Sequence, residues 1–117
     1  MAQQTNSDRV RATREVMVPI PGETFRFRVR RPTFLQYRKM KLDGMDEVEI
    51  LLHSIVGWEN VLERDVFPSG SDQPLEFDWE TCQEWVGDKE TFWKPLAEAL
   101  NALTEKRVAD SEQARGN

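Results

Sequence analysis

One cysteine, one histidine and one tyrosine in 117 residues remove most of the side chains from which small proteins build active sites. A lone Cys82 excludes an internal disulfide and a cysteine-cluster zinc site, and reads as a small buried apolar residue. A lone His53 excludes a histidine pair, and with one Cys the common nucleophilic triads cannot be assembled. The chain also lacks GxGxxG, GxxxxGK, HExxH and GxSxG, so nothing marks a dinucleotide, a P-loop phosphate, a zinc protease or a hydrolase elbow. Glu47, Glu49, Glu80 and Glu84 read as solvated helix faces rather than as paired catalytic carboxylates. These gaps point away from an enzyme, and no cofactor or metal is expected. No apolar run approaches the roughly 20 residues of a membrane span, and the first 15 residues are polar, without a signal-peptide core. The expected location is therefore the cytoplasm.

What is present is a soluble, charge-rich composition: 32% charged and 38% hydrophobic residues, with a mean hydropathy of −0.66 and a net charge of −5. The length suits one domain with a modest core. Charge is unevenly spread. Residues 1–41 carry ten Lys or Arg against three acids, a balance of +7, which leaves −12 for the rest of the chain. Such asymmetry bears on association, because complementary patches steer encounter and fix orientation.

Residues 1–13 have little apolar content and read as a flexible arm. The domain proper is expected over 14–108, and 109–117 as a frayed tail. Val16, Val18 and Ile20 alternate with Glu15, Met17 and Pro19. Phe25, Phe27 and Val29 alternate with Arg26, Arg28 and Arg30, the period of half-buried strands. Pro21-Gly22-Glu23 supplies the turn between them. This predicts a β-hairpin with one apolar and one basic face. A lone hairpin is marginal in water, so helices should cover its apolar side. Thr33-x-x-Gln36 forms a capping box for a helix through Leu42, and Asp43-Gly44 breaks it. Asp46 caps a second helix that closes near Val56 on Gly57, with Trp58 folding back as an anchor. Residues 62–74 read as the longest irregular loop. Phe77 precedes the N-cap Asp78 and staples onto Cys82, so a third helix spans Trp79 to Val86 and stops at Gly87. Phe92, Trp93, Leu96, Ala99, Leu100 and Leu103 trace a fourth helix, which starts near Phe92 or Trp93 because Pro95 is accepted only in a first turn. The expected fold is α+β: an N-terminal β-hairpin packed against a bundle of about four α-helices.

Two surface features are candidates for binding. Arg26, Arg28 and Arg30 form either an ordinary solvated strand face or a docking strip for an acidic partner, such as the acidic half of a second copy in a ring or filament. Nucleic acid is disfavoured by the net acidity and the absence of a reader motif. Of the four tryptophans, Trp58, Trp79 and Trp85 (with Phe77) read as structural anchors. Trp93 is the candidate for an exposed groove that accepts an apolar segment of another protein.

The succession of a helix, Gly57-Trp58-Glu59 followed by Val61, a polar loop, Pro74-Leu75-Glu76-Phe77 and a capped helix resembles the small tail assembly chaperones of long-tailed bacteriophages, encoded upstream of the tape measure protein. The resemblance runs from the basic hairpin to the final helix. The loop between Val61 and Pro74 is longer than the short Asp- and Gly-containing turn of related sequences, so no binding residue is carried over there. The resemblance implies an adaptor in the bacterial host cytoplasm that binds the tape measure protein, recruits tail tube subunits and in some cases self-assembles. The alternative within the same setting is a structural tail-completion or head-to-tail joining protein that stays in the virion.

Overall fold

A computed structural model describes residues 4–115. It is a mixed α+β fold with a three-stranded antiparallel sheet. The chain order is α1 (Asn6–Ala12), β1 (Glu15–Pro19), β2 (Arg26–Arg30), α2 (Phe34–Leu42), α3 (Glu47–His53), β3 (Ile55–Glu59), α4 (Glu63–Val66), α5 (Trp79–Val86), a 3-10 turn (Glu90–Phe92) and α6 (Trp93–Arg115). The strands lie in the order β1-β2-β3.

The expected hairpin forms, with Val16 opposite Val29 and Val18 opposite Phe27. Gly22 takes φ +83, and Glu23 N–H donates to the Ile20 carbonyl at 3.0 Å, closing a turn that needs a residue without a Cβ at its third position. Period-2 alternation then puts Val18, Ile20, Phe25, Phe27 and Val29 into the core and the strand arginines on the opposite face.

A third strand corrects the expected architecture. Ile55–Glu59 is not the end of a helix but β3, paired with β2 through Arg28–Gly57, Phe27–Trp58 and Arg26–Glu59. The helix before it stops at His53 with Ser54 as its cap, so Gly57 closes no helix. Val56 is the extra residue of a bulge, because Arg28 pairs with Gly57 while Val29 pairs with Ile55. Asn60, at φ 62, turns the chain out of the sheet in the left-handed conformation that Asn tolerates better than most residues.

The caps read from the sequence hold. Thr33 and Gln36 form a reciprocal capping box, Asp46 accepts from Glu49 N–H, and Asp78 accepts from Thr81 N–H. Hydrogen bonds from Thr81 hold the Asp78 carboxyl below the ordinary aspartate value. Gly44 breaks α2 at φ +87. Gly87 ends α5 in a right-handed conformation instead, and its need for glycine is steric: a Cβ there would collide with the Gln83 carbonyl.

Three further segments differ from expectation. Within the stretch read as a flexible arm, α1 forms on a capping box between Thr5 and Asp8, with no buried residue. Residues 62–74 are ordered by backbone pairing: Glu63 N–H donates to Gln73, Arg64 N–H to Ser71 and Leu75 N–H to Val61, around the single turn of α4. α6 runs on to Arg115 and so continues through most of the expected frayed tail, of which residues 116 and 117 lie outside the described residues. Instead of about four helices there are six among the described residues, together with the 3-10 turn, and α6 lies against β1 and β2.

The core is aromatic at its centre. Phe25, Phe27, Trp58, Trp85 and Phe92 pack mostly edge to face, with ring centroids 5.2–6.3 Å apart. Each large side chain buried there contributes about 1.5–3 kcal/mol of transfer free energy, and edge-to-face geometry adds about 0.5–1.5 kcal/mol per pair. Leu96, Val86 and Cys82 complete it with no exposed surface.

Candidate protein-binding surface

The three strand arginines project from the polar face of the sheet, but acids on both flanking strands meet them. Arg30 pairs with Glu15 at 2.8 Å and Arg26 with Glu59 at 3.0 Å, while Arg28 stands 4.0 Å from Glu15. Cross-strand register causes this, since Glu15 lies opposite Arg30 and Glu59 opposite Arg26. Three positive charges therefore face two negative ones. Gly57 lies beneath this row, where an added Cβ would meet the Arg28 side chain at ordinary contact distance. The strip is a cross-strand ion-pair row with a small excess of positive charge.

The tryptophans divide in a similar way. Trp58 Nε1 donates to the Leu75 carbonyl at 2.7 Å, and its ring meets Phe27, Phe77 and Trp85. Phe77, expected to staple onto Cys82, stands edge-on to Trp58 with centroids 4.9 Å apart. Trp79 is half-buried and packs against the His53 ring, with centroids 4.7 Å apart and the planes tilted by 39°. Trp85 is buried, and its Nε1 has no hydrogen-bond acceptor among the described residues. Trp93 is half-buried and packed against the core. Burial pushes the Cys82 thiol up to about 12. Among the described residues no group of three or more His, Cys, Asp or Glu is disposed to hold a metal ion, and no helix is long and apolar enough to cross a membrane.

The surface that does lack a partner is α2. None of its residues is buried, although Phe34, Leu35 and Leu42 are large and apolar; they are 64%, 69% and 76% exposed. Tyr37 is also exposed, and Val48 on α3 extends the patch. A solvated helix normally turns one apolar stripe inward. Here the Phe34 and Tyr37 side borders an open cleft of about 330 Å³ between α2, α3 and α6, with Leu100 and Thr104 on the opposite wall and Ile50 between them, while Leu35 and Leu42 lie outside its lining. The Tyr37 hydroxyl donates to Glu47 at 2.9 Å and Lys41 Nζ lies 3.1 Å from the same carboxylate, which ties α2 to α3. Those bonds hold the Glu47 carboxyl below its ordinary value and raise the Lys41 ammonium and the Tyr37 phenol.

Sequence reasoning named Arg26, Arg28, Arg30 and Trp93, and none of them lines this cleft. A local signal did exist: Phe34, Leu35 and Leu42 wrap more than one side of a nine-residue helix. The cleft itself joins residues 31–50 to 100–107, a separation that no local pattern reports. No family model, curated protein or solved structure matches this chain.

Proposed function

We propose that this chain is a non-enzymatic tail assembly chaperone of a bacteriophage or prophage, acting in the host cytoplasm to bind the tape measure protein and help recruit tail tube subunits. The observation that carries the reading is α2: a helix with no buried residue that exposes Phe34, Leu35 and Leu42, with Phe34 lining an open cleft. An apolar surface of this kind favours binding to another polypeptide over small-molecule chemistry. The Gly57-Trp58-Glu59 and Pro74-Leu75-Glu76-Phe77 segments that carry the resemblance supply its phage context. A permanent virion component is the second reading. It relies on a free basic strip for ring contacts, and Arg26 and Arg30 are already engaged by Glu59 and Glu15.

The test is co-expression with the protein encoded immediately downstream, then size-exclusion chromatography with light scattering. A stable complex with a long helical partner, combined with absence of the chain from purified particles by mass spectrometry, is the expected result. Abundant chain in mature virions would overturn the chaperone reading in favour of the structural one.

A further inference from the structure

The cleft beside α2 has a charge as well as a shape. Arg31 and Arg107 stand at its rim, from the end of β2 and from α6. Arg14 is tied to the same corner, because its Nε donates to the Arg31 carbonyl at 3.0 Å and Arg31 N–H donates back to the Arg14 carbonyl at 2.8 Å. Among the described residues none of the three makes an ion pair, whereas Arg26, Arg28, Arg30 and Arg64 all do. Burial, followed by the nearby charges of Arg107 and Arg14, holds the Arg31 pKa below its ordinary value. Three like charges are thus gathered at one corner of the cleft, and the acid in its lining, Glu47, is already engaged by Tyr37 and Lys41.

We infer that the α2–α6 cleft seats an amphipathic helix of another polypeptide whose apolar stripe is flanked by carboxylates. The partner's apolar residues cover Phe34, Tyr37 and Leu100 above the buried Ile50, and its acids meet Arg31 and Arg107. This deepens the proposed function, on which it rests, by giving the seat and the chemistry of the bound segment. A helix fits because α2 and α6 form the walls, and a third helix laid between them packs ridge into groove on both. A second copy of this chain fits less well. α5 buries its own apolar residues Cys82, Trp85 and Val86, and the exposed Phe67 beside Glu80 and Glu84 is a single knob, not a stripe.

The experiment is fluorescence anisotropy with a labelled helical peptide of about 18 residues, five turns, carrying Leu at helical spacing and Glu on both flanks. Its controls are the same peptide with Lys for Glu, and oligo(dT). The wild-type protein is expected to bind the acidic peptide, more weakly as salt rises, and to ignore the basic one. Arg107→Glu and Phe34→Ala lie at exposed positions and should retain the native circular dichroism, yet weaken binding about tenfold or more. Arg31→Glu combined with Arg107→Glu should shift preference to the basic peptide.

Equal binding of both peptides, unchanged affinity in Arg107→Glu, or no acidic-peptide binding at millimolar concentration overturns the inference. So does tighter binding of oligo(dT), which would make the corner a nucleic-acid contact, or self-association that Arg107→Glu abolishes, which would make the occupant a second copy. If the downstream-encoded protein binds wild type and Arg107→Glu alike, the chaperone reading stands and only this seat fails. If wild type binds the acidic peptide but not that protein, the chaperone reading fails and the seat stands.

Discussion

The Trp58 indole N–H and the Leu75 carbonyl, 2.7 Å apart, join the edge strand β3 to the segment that leads into α5. This bond spans the whole of the 62–74 excursion, so one side chain ties the sheet to the chain on the far side of its longest connection. The ring also packs on Phe27, Phe77 and Trp85, which makes Trp58 a junction of three elements.

Two substitutions separate its packing from its hydrogen bond. Trp58→Ala removes both and should destabilise by about 3 kcal/mol, the lower end of the range for large aromatic deletions, because the ring is only partly buried. Trp58→Phe keeps an aromatic face and leaves the Leu75 carbonyl without its donor, at a cost of about 1 kcal/mol. Urea denaturation followed by circular dichroism reads both. Equal midpoints for the two variants would show that the hydrogen bond, not the packing, carries the role.

Trp85 has the opposite character. Its ring is surrounded by Phe25, Phe27, Trp58 and Phe92, but its buried Nε1 has no acceptor among the described residues. A desolvated donor without a partner costs about 1–3 kcal/mol. Trp85→Phe retains the edge-to-face contacts and removes that donor, at the expense of some volume. The expected outcome is a thermal midpoint within a few degrees of wild type, while Trp85→Ala falls well below it. A Trp85→Phe protein as unstable as Trp85→Ala would mean that the indole N–H is satisfied in solution.

Elements whose cause lies within four residues were legible in the sequence. The boxes and caps at Thr33, Asp46 and Asp78 were, because an N-cap and its acceptor bond are local. So was the hairpin, whose alternation and Pro21-Gly22 turn are contiguous. β3 was hidden because its bulge at Val56 breaks the alternation, and because its partner β2 lies about 25 residues upstream, beyond any periodicity. α1 was hidden by its lack of an apolar stripe, since Val10 and Ala12 are its only apolar residues and neither is buried; only Thr5 and Asp8 announced it. Of the candidate site, the apolar residues of α2 were visible but their exposure was not, since exposure depends on where α3 and α6 run.

The arginine row on the sheet can now be treated as a set of ion pairs. Reversing Arg26, Arg28 and Arg30 together should do more than weaken association, because it places new carboxylates against Glu15 and Glu59. Arg30→Glu should cost more than Arg26→Glu, since the Arg30–Glu15 pair is less exposed than the Arg26–Glu59 pair. Neutral Gln at either site should cost no more than about 1 kcal/mol. Chemical denaturation at low and high salt checks this: the penalty of each reversal should shrink as salt rises. Identical penalties at all salt concentrations would remove the electrostatic explanation.

Cys82 offers a probe of the core from within. It has no exposed surface, and burial raises its thiol from 9.0 to about 12, so in the folded protein it stays a protonated thiol at neutral pH. A thiol-specific reagent such as DTNB should react with it only as fast as the protein opens, and at once in denaturant. The raised pKa also sets a pH dependence. The native state holds its proton more tightly than the unfolded chain, so this contribution to stability is fully present below pH 9.0 and is lost as pH rises from there towards about 12. Cys82→Ala should remove that part of the alkaline loss while lowering stability at neutral pH through the cavity it leaves. If DTNB reacts rapidly with the native protein at pH 7, the packing of α5 against the sheet is looser than the buried thiol implies.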